Sequence, residues 1–470
     1  MVLPPKSALV IGAGPSGLVS YRNLAKYGCF ETVALYERRD DVGGVWYLDN
    51  PTSSTITPRW PSPSYPGLIG NVLPEYLSFS HYPFPALADP HQPFPTLGET
   101  YEFLRSFAEP YICEGKIKLN MEVVRVEEMP DGQGWKVRTK DWNNGQGTEV
   151  DEIWDAVVVA VGWYDHPVWP NTPGLDILRE HGLATHANSY RGPQGNEGKQ
   201  VLVVGNANSG NDIAAHLAPI AKTPVYQSIR RPAFPGFPSL PDARIRSIAP
   251  VAQYSLTPSN NKITAHLQDG TTLTDIDTIY IATGYKPHPD FIHVLDPTSP
   301  TPHITRLVDQ NPHPDTSHRV PSLHRHILYA YNPTLAFIGS PMSFTPFTVN
   351  DISSLWLTYI WSLSIPLLPS SPSKLLEFET ERIKAIETRR KETNNPSALF
   401  AYSVLGASEE SYAESLRKEI IDIHPELEEY LPKWAPEEER KKHREMMYPR
   451  KYDALLYARD HQKKVVVEAA

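Results

Sequence analysis

Three glycines near the start of the chain have the spacing G-x-G-x-x-G, which suits the binding of a dinucleotide. They are Gly12, Gly14 and Gly17, and they follow an apolar run at residues 8–11. In this pattern the first glycine permits a tight turn, the second lets backbone approach a pyrophosphate, and the third lets a helix pack closely. The N-terminus of that helix favours an anion through its unpaired N–H groups and its dipole. The spacing therefore predicts a phosphate-binding turn between a strand and a helix.

Glu37 completes this first pattern. It lies 20 residues beyond Gly17, at the end of a second apolar run. A carboxylate at that place accepts hydrogen bonds from a ribose. Strand, glycines, helix, second strand and acid together predict the opening βαβ unit of a dinucleotide-binding domain. The residues expected to hold the pyrophosphate and the ribose are Gly12, Ala13, Gly14, Pro15, Ser16, Gly17 and Glu37.

The same spacing recurs later in the chain, in KQVLVVGNANSGNDIAAHLA. Gly205, Ala207 and Gly210 occupy the three positions, and the extra methyl group of Ala207 could crowd a pyrophosphate. Arg230 lies 20 residues beyond Gly210, which is the offset of the acid in the first pattern. A cation there suits a ribose 2′-phosphate, which an acid would repel. The repeat predicts an NADP site. The alternative is that Arg230 and Arg231 are solvated surface arginines.

Two further stretches carry weaker signals of a ligand. The pair Gly43–Gly44 lets backbone pass close to a ligand, and Trp46 could cover a ring system. The alternative for this stretch is an ordinary turn beside a core tryptophan. Asn71 follows Gly70 between apolar residues, and without other information it could equally cap the next turn.

The remaining patterns outline the elements that would position these residues. Helical spacing of apolar residues predicts an amphipathic helix at 96–111, and alternation predicts a β-meander at 116–140. Segments 49–70, 232–250 and 296–325 are irregular and are expected to form pockets. Further predictions are a buried strand in 151–163 ending at Gly162, a hairpin turning at 269–270, a buried strand ending at 282–285, an apolar strand at 333–341 ending in Gly339, and helices at 347–361, 373–393 and 407–465.

Composition restricts the class of protein. The chain has 470 residues, enough for two or three domains, and a formal net charge of −10, which argues against a dedicated nucleic-acid binder. Its two cysteines, Cys29 and Cys113, form no disulfide framework, zinc ligand set or C-x-x-C motif, so a reducing compartment is expected. The most apolar long segment, 352–368, contains serines and Pro366 and is too short to span a membrane.

With both glycine patterns, the stretch ERRDDVGGVW and the strand ending ATGY, the chain resembles the class B flavin-dependent monooxygenases. More narrowly it resembles the flavin-containing monooxygenases, which oxygenate soft nitrogen and sulfur centres. Their signature F-x-G-x-x-x-H-x-x-x-F/Y reads EHGLATHANSY here, so Gly182, His186 and Tyr190 match while Glu180 replaces the aromatic residue. Related Baeyer–Villiger enzymes carry tryptophan at the last position, so Tyr190 favours the heteroatom-oxygenating branch. A lone His186 is better explained as a structural or linker residue than as a general base.

The resemblance implies an α/β fold with two Rossmann-like dinucleotide-binding domains, one for FAD and one for NADP. The NADP domain, at residues 166–285, would be inserted into a discontinuous FAD domain made of residues 1–165 and 286–470. The strand predicted at 333–341 motivates this division, because it follows the second glycine pattern yet has the character of a strand that approaches the first cofactor.

The resemblance also implies the cofactors FAD and NADPH, no metal, and the roles of particular residues. Val45 and Trp46 would contact FAD, and Asn71 matches the active-site asparagine of the family, beside the reactive flavin edge and the nicotinamide. The other expected cofactor contacts are Gly44, Tyr190, Gly205, Asn208, Ser209, Gly210, Asn211, Asp212, Arg230, Arg231 and Gly339.

The implied reaction resembles that of an N,N-dimethylaniline monooxygenase. NADPH reduces FAD, O2 adds to give a flavin hydroperoxide, and one oxygen atom passes to a soft nitrogen or sulfur centre of a small molecule. Two alternatives stay open: a Baeyer–Villiger monooxygenase acting on ketones, and a non-oxygenating nucleotide-binding flavoprotein. A flavin disulfide reductase lacks support because Cys29 and Cys113 form no redox pair. The polar end of the chain predicts a soluble, cytoplasmic protein without a membrane anchor, and a homodimer is left open.

Overall fold

The computed structural model describes residues 4–47, 49, 58–89, 91–231, 242–310, 318–366, 371–394, 400–433 and 453. The helices predicted beyond residue 433 lie outside the described residues, apart from Asp453. Parts of the predicted irregular segments 49–70, 232–250 and 296–325 also lie outside them.

The described residues form 20 strands and eight α-helices. The strands are β1 (Ser7–Ile11), β2 (Thr32–Tyr36), β3 (Ile117–Lys118), β4 (Met121–Glu128), β5 (Trp135–Asp141), β6 (Thr148–Trp154), β7 (Ala156–Val159), β8 (Ala184–His186), β9 (Gln200–Val204), β10 (Lys222–Ser228), β11 (Ile245–Ile248), β12 (Val251–Thr257), β13 (Lys262–Leu267), β14 (Thr272–Ile276), β15 (Thr278–Ile281), β16 (Ile292–Leu295), β17 (Ile304–Arg306), β18 (Leu323–His324), β19 (Leu328–Tyr329) and β20 (Leu335–Phe337). The helices are α1 (Pro15–Tyr27), α2 (Leu97–Cys113), α3 (Leu175–Glu180), α4 (Asn208–Leu217), α5 (Pro346–Trp361), α6 (Pro372–Leu375), α7 (Glu377–Glu392) and α8 (Glu409–Ile423). None of the described helices is both long and apolar enough to cross a membrane.

The first sheet is built from both ends of the chain. Its strand order is β18-β19-β20-β7-β1-β2-β3, and β1 pairs in parallel with both β2 and β7. From the far end of the chain, β20 joins β7 in parallel. The strands β1 and β7 are almost wholly buried, as expected when helices cover both faces of a parallel sheet.

The second sheet contains only strands from the middle of the chain. Its order is β11-β10-β9-β15-β8, and all of its pairings are parallel. In sequence, its strands therefore lie between strands of the first sheet. This order confirms the predicted α/β fold, in which one Rossmann-like unit is inserted into a second, discontinuous one. Two further sheets complete the fold: the antiparallel sheet β12-β13-β14, and the mixed sheet β17-β16-β4-β5-β6, in which β16 and β4 pair in parallel.

Two local predictions are corrected by long-range pairing. The buried strand predicted in 151–163 is two strands, because the exposed edge strand β6 pairs antiparallel with β5 and only β7 enters the first sheet. The chain turns between them at Asp155, whose carboxylate accepts the amides of Lys6 and Ser7, both at 2.9 Å. The predicted meander is likewise divided, since β3 pairs with β2 while β4 and β5 form a hairpin elsewhere.

The predicted helix at 96–111 is α2, and it begins with a complete capping box. Thr96 accepts the amide of Glu99 at 3.2 Å, and the Glu99 carboxylate accepts the amide of Thr96 at 2.8 Å. This reciprocal pair satisfies amide donors that a helix start leaves unpaired. The helix runs two residues further than predicted, to Cys113.

A buried ion pair joins α1 to α5. Arg22 donates to Asp351 at 2.6 Å, and the two side chains are 7% and 0% exposed. Asp351 also accepts the amide of Asn23 at 3.0 Å and the backbone amide of Ser80 at 2.7 Å. Buried charges are tolerated only when they are paired and hydrogen-bonded, and this carboxylate has donors on both of its oxygens.

We predict that Arg22→Met lowers the free energy of unfolding by about 3–5 kcal/mol, because it leaves the Asp351 carboxylate buried without its counter-charge. The measurement is the midpoint of urea denaturation of the flavin-loaded protein, followed by tryptophan fluorescence. The exposed pair Arg306–Asp309 supplies a control, since Arg306→Met should have little effect. An equal loss in both variants would contradict the special role of the buried pair.

Candidate active site

A cavity of about 810 Å³ opens where the carboxyl ends of β1, β2 and β7 meet the N-termini of α1 and α5. Ligands of open parallel sheets bind at this edge. The cavity brings together ten of the residues predicted from sequence: Gly12, Gly14, Pro15, Ser16, Glu37, Gly44, Val45, Trp46, Asn71 and Gly339.

The first glycine turn has no space for side chains. Gly12 has φ +97°, and a Cβ there would lie 2.8 Å from the carbonyl oxygen of Ala160. A Cβ on Gly17 would collide with the carbonyl of Gly12, so α1 packs closely against the turn. The first turn of α1 has no acidic residue, and its N-cap, Gly14, has no capping side chain. The amides at this helix start therefore suit an anion.

A second close approach lies opposite this turn. Gly44 has φ +59°, and a Cβ there would lie 2.8 Å from the Cα of Gly14. Val45 and Trp46 follow in a short 3₁₀ turn and line the cavity. Gly339, at φ +79°, closes another wall, where a Cβ would collide with the Ser16 hydroxyl.

Glu37 is held in place by backbone amides. Its Oε2 accepts the amide of Ala13 at 2.7 Å and its Oε1 accepts the amide of Arg39 at 3.0 Å. Each carboxylate oxygen has a second lone pair, so the side chain can still accept ribose hydroxyls from the cavity. Ala13 does not line the cavity and contributes by fixing Glu37.

Arg39 is a structural member of the site that the sequence analysis missed. Its buried guanidinium donates to the carbonyls of Gly44 at 2.8 Å, Trp60 at 2.9 Å and Pro61 at 3.2 Å. Burial lowers the pKa of Arg39, and the negative charge of Glu37 opposes that shift. The side chain ties the Gly44 turn to a loop that lines the cavity. The spacing of the motif gave no signal for it, because two of its three partners, Trp60 and Pro61, lie in another segment.

These features fit a flavin dinucleotide. The glycine turn and the start of α1 suit a pyrophosphate, and Glu37 suits a ribose. Apolar residues including Val72, Leu77 and Phe347 line the same cavity and suit a flat ring system.

Asn71 lines this cavity and is half-buried. The preceding residue is fixed, because the amide of Gly70 donates to the carbonyl of Pro95 at 2.8 Å. The turn that follows, Pro74–Leu77, has Leu73 as its N-cap, so Asn71 does not cap it. In the described part of the chain, no protein group forms a hydrogen bond with the Asn71 side chain. Its amide is therefore available to a ligand in the cavity.

The second glycine turn repeats the backbone of the first. Gly205 has φ +118°, and its amide donates to the carbonyl of Ser228 at 3.0 Å, as that of Gly12 does to Tyr36 at 2.8 Å. Asn208 and Ser209 are exposed at the start of α4, whose first turn holds no acid. The residues predicted to bind a cofactor at this turn and just beyond β10 do not line the 810 Å³ cavity. They are Gly205, Asn208, Ser209, Gly210, Asn211, Asp212, Arg230 and Arg231.

Three predicted cofactor contacts have side chains that pack within the protein. Asn211 accepts from Gln227 at 2.9 Å, and Asp212 accepts from the hydroxyl of Tyr65 at 3.0 Å. Tyr190 is 1% exposed and meets the ring of Tyr65 edge-on, with centroids 5.1 Å apart. The structure thus places these side chains around α4 rather than in the cavity, which leaves Asn208 and Ser209 as the exposed side chains of the turn.

The position of Arg230 differs by one residue from the sequence-based register. Ser228 is the partner of Val204, just as Tyr36 is the partner of Ile11. Ile229 therefore occupies the place of Glu37, and Arg230 lies one residue further. Glu37 and Arg230 each lie 20 residues beyond the third glycine of their own turn, so counting from that glycine does not reveal the shift. Arg230 is still exposed beside the carboxyl end of β10, and it contributes with burial to lowering the pKa of Arg231.

His186 lies between the two segments that connect the sheets. Its ring centroid is 5.5 Å from that of Trp169 and 5.2 Å from that of Tyr285, and it is 2% exposed. Burial lowers the pKa of His186 to about 4, so the ring is neutral near pH 7. This packing agrees with the structural interpretation of His186.

Comparison with known proteins gives the family. The model of the "Flavin-binding monooxygenase-like" family matches residues 5–234. The "Flavin-containing monooxygenase FMO GS-OX4" of Arabidopsis thaliana is 32% identical over 400 residues, which cover 81% of this chain and 79% of that protein. The chain therefore belongs to the flavin-containing monooxygenases. This assignment confirms the resemblance and the predicted flavin cofactor.

Solved structures share the whole fold. The S-allyl-L-cysteine S-oxygenase of Allium sativum matches 94% of this chain and 98% of its own, with a TM-score of 0.68 and 23% identity. A cyclohexanone monooxygenase mutant of Rhodococcus sp. Phi1, bound to NADP+, matches 88% of this chain and 97% of its own, with a TM-score of 0.59 and 15% identity.

We predict that Gly44→Ala weakens flavin binding at least tenfold, about 1.4 kcal/mol, because the new methyl group would press against Gly14. The ratio of flavin to protein absorbance after dialysis measures the loss. Gly115→Ala is the matched control: Gly115 has a similar φ, +69°, but open space around it. Equal flavin loss in both variants would mean that backbone strain, and not the close approach, causes the effect.

Proposed function

We propose that the chain is an FAD- and NADPH-dependent monooxygenase that transfers one oxygen atom from O2 to a soft nitrogen or sulfur centre of a small molecule. The observation that carries this proposal is the position of Asn71 in the cavity that also holds the dinucleotide cradle. When bound, FAD supplies the activation of O2 with electrons from NADPH. A cytoplasmic location stays a prediction from the sequence, and a homodimer stays open.

The chain itself positions the reactants. The turn at Gly12 and Gly14 and the carboxylate of Glu37 fix one end of the dinucleotide, and Trp46 contacts its ring system. Asn71 donates and accepts hydrogen bonds at the reacting edge, and its amide does not titrate. It therefore stabilises developing charge there without supplying or removing a proton prematurely.

The second glycine turn is the binding site for the nicotinamide nucleotide. The N-terminus of α4 binds the pyrophosphate through its backbone amides, with Asn208 and Ser209 beside it. Arg230 pairs with the 2′-phosphate, and this contact makes NADPH the preferred donor over NADH.

We place the domain boundaries at 165/166 and 285/286. Two connecting segments run side by side at these points. The amide of Lys286 donates to the carbonyl of His166 at 3.0 Å, and the amide of Val168 donates to that of Gly284 at 2.9 Å. This pairing of the two connecting segments supports boundaries near these residues.

Turnover under air tests the proposed function against its two alternatives. Methyl phenyl sulfide, N,N-dimethylaniline and cyclohexanone are incubated separately with enzyme and NADPH, and products are counted per NADPH consumed. We expect a sulfoxide or an N-oxide as the main product. Preferential formation of a lactone would favour the Baeyer–Villiger alternative. No oxygenated product from any of the three would favour the non-oxygenating flavoprotein.

Asn71→Ala should retain FAD, because the pyrophosphate and ribose contacts lie elsewhere. Oxygenation should fall at least tenfold, about 1.4 kcal/mol of barrier, while hydrogen peroxide formed per NADPH rises. Asn143→Ala, in an exposed loop away from the cavity, is the control and should turn over normally. Unchanged product yield and rate in Asn71→Ala would place the oxygenating edge elsewhere.

Arg230→Ala should raise the KM for NADPH at least tenfold and leave the KM for NADH nearly unchanged. A hydrogen bond to a charged group contributes about 1.5–3 kcal/mol. NADH has no 2′-phosphate, so its complex loses no such bond in the variant. Steady-state kinetics with both donors provide the measurement. Arg246→Ala, on the neighbouring strand β11, serves as the control. Similar changes for the two donors would identify Arg230 as a surface arginine.

A further inference from the structure

One buried hydrogen bond connects the second glycine turn with the segment that carries Asn71. The hydroxyl of Tyr65 donates to Asp212 at 3.0 Å, across 147 positions of sequence. Tyr65 is 7% exposed, and the rings of Tyr190 and His216 meet it edge-on with centroids 5.1 and 5.2 Å away. Burial and the Asp212 carboxylate raise the pKa of Tyr65, so its hydroxyl stays protonated and donates.

Asp212 belongs to the helix that begins at the nucleotide turn. It lies about one helical turn beyond Asn208 and Ser209, the exposed residues at the start of α4. A second contact lies further along the same helix, where Ala215 packs in an apolar cluster with Ile69. A nucleotide bound at the start of α4 thus acts on a helix that holds the Asn71 segment at two points.

The path from Tyr65 to Asn71 is short and fixed by backbone hydrogen bonds. We call residues 65–71 the connecting segment. The amide of Leu68 donates to the carbonyl of Tyr65 at 3.1 Å, and the carbonyl of Leu68 accepts the amide of Leu97 at 2.9 Å. The amide of Gly70 donates to the carbonyl of Pro95 at 2.8 Å. A change at Tyr65 therefore reaches Asn71 through few flexible bonds.

We propose that the hydrogen bond between Tyr65 and Asp212 couples occupancy of the nucleotide site to the position of Asn71, so that Tyr65 is a positioning residue for oxygen transfer. The inference rests on the proposed function, in which α4 binds NADPH and Asn71 lies at the reacting edge. Because coupling between two sites is reciprocal, an ordered Asn71 also favours a bound nucleotide. Asn71 is then in position at the reacting edge only while the nucleotide is bound. As a result, fewer electrons from NADPH are diverted to hydrogen peroxide.

Hydrogen exchange of the FAD-loaded protein, with and without NADP+, tests the coupling without turnover. In the wild type NADP+ should slow exchange both at residues 205–212 and in the connecting segment. In Tyr65→Phe, which keeps the ring, the protection at 205–212 should persist and that of the connecting segment should be lost. Tyr280→Phe is the control. It removes a tyrosine hydroxyl that bonds to Asn196 at 3.1 Å within the same sheet unit, and it should behave as the wild type.

Kinetics distinguish positioning from a general structural effect. Tyr65→Phe should raise hydrogen peroxide per NADPH at least threefold while FAD content stays unchanged. In an Asn71→Ala background the same substitution should add little, because its effect passes through Asn71. Full protection of the connecting segment in Tyr65→Phe, or additive effects of the two substitutions, would overturn the coupling. A wild type that shows the coupling but forms no oxygenated product would instead contradict the proposed function.

Discussion

The cavity depends on the buried ion pair between Arg22 and Asp351. It joins α1, which begins at the first glycine turn, to α5, whose own N-terminus lines the same cavity. The two partners are 329 positions apart, so the pair also connects the two halves of the discontinuous unit. Near the cavity the amide of Asn350 donates to the hydroxyl of Ser16 at 2.8 Å and reinforces this contact. Because an unpaired charge cannot stay buried, the two helices are held in one relative position.

The two glycine turns, for which we propose different ligands, share one backbone arrangement. In both, a glycine with positive φ donates its amide to the carbonyl at the end of the neighbouring strand. What differs is the residue after that strand. Glu37 is buried and bonded to amides, whereas Ile229 takes its place in the second turn and leaves an exposed Arg230 next to it. In the proposed function, these flanking side chains are what distinguishes the ligands of the two turns.

The two departures from the family motifs lie away from the cavity. Ala207 is exposed at the N-cap of α4, and Glu180 is exposed at the last residue of α3. Neither lines the 810 Å³ cavity. An aromatic residue is not required at an exposed helix end, so Glu180 removes no packing that the site needs. These departures therefore offer no support from the cavity for the non-oxygenating alternative.

The sequence by itself determined the local features of this protein. The glycine turns, the strand ends and the carboxylate of Glu37 could be predicted because backbone sterics act over a few residues. The role of Asn71 was predicted from the resemblance to the flavin-containing monooxygenases and not from its local sequence. Only the tertiary structure decided which distant residues meet: Arg39 with the carbonyls of a separate loop, Tyr65 with Asp212, and Asp351 with Arg22. It also divided the strand predicted in 151–163 and shifted Arg230 by one register position. Such pairings depend on contacts between segments that are far apart in the chain. The spacing of residues within one segment therefore cannot predict them.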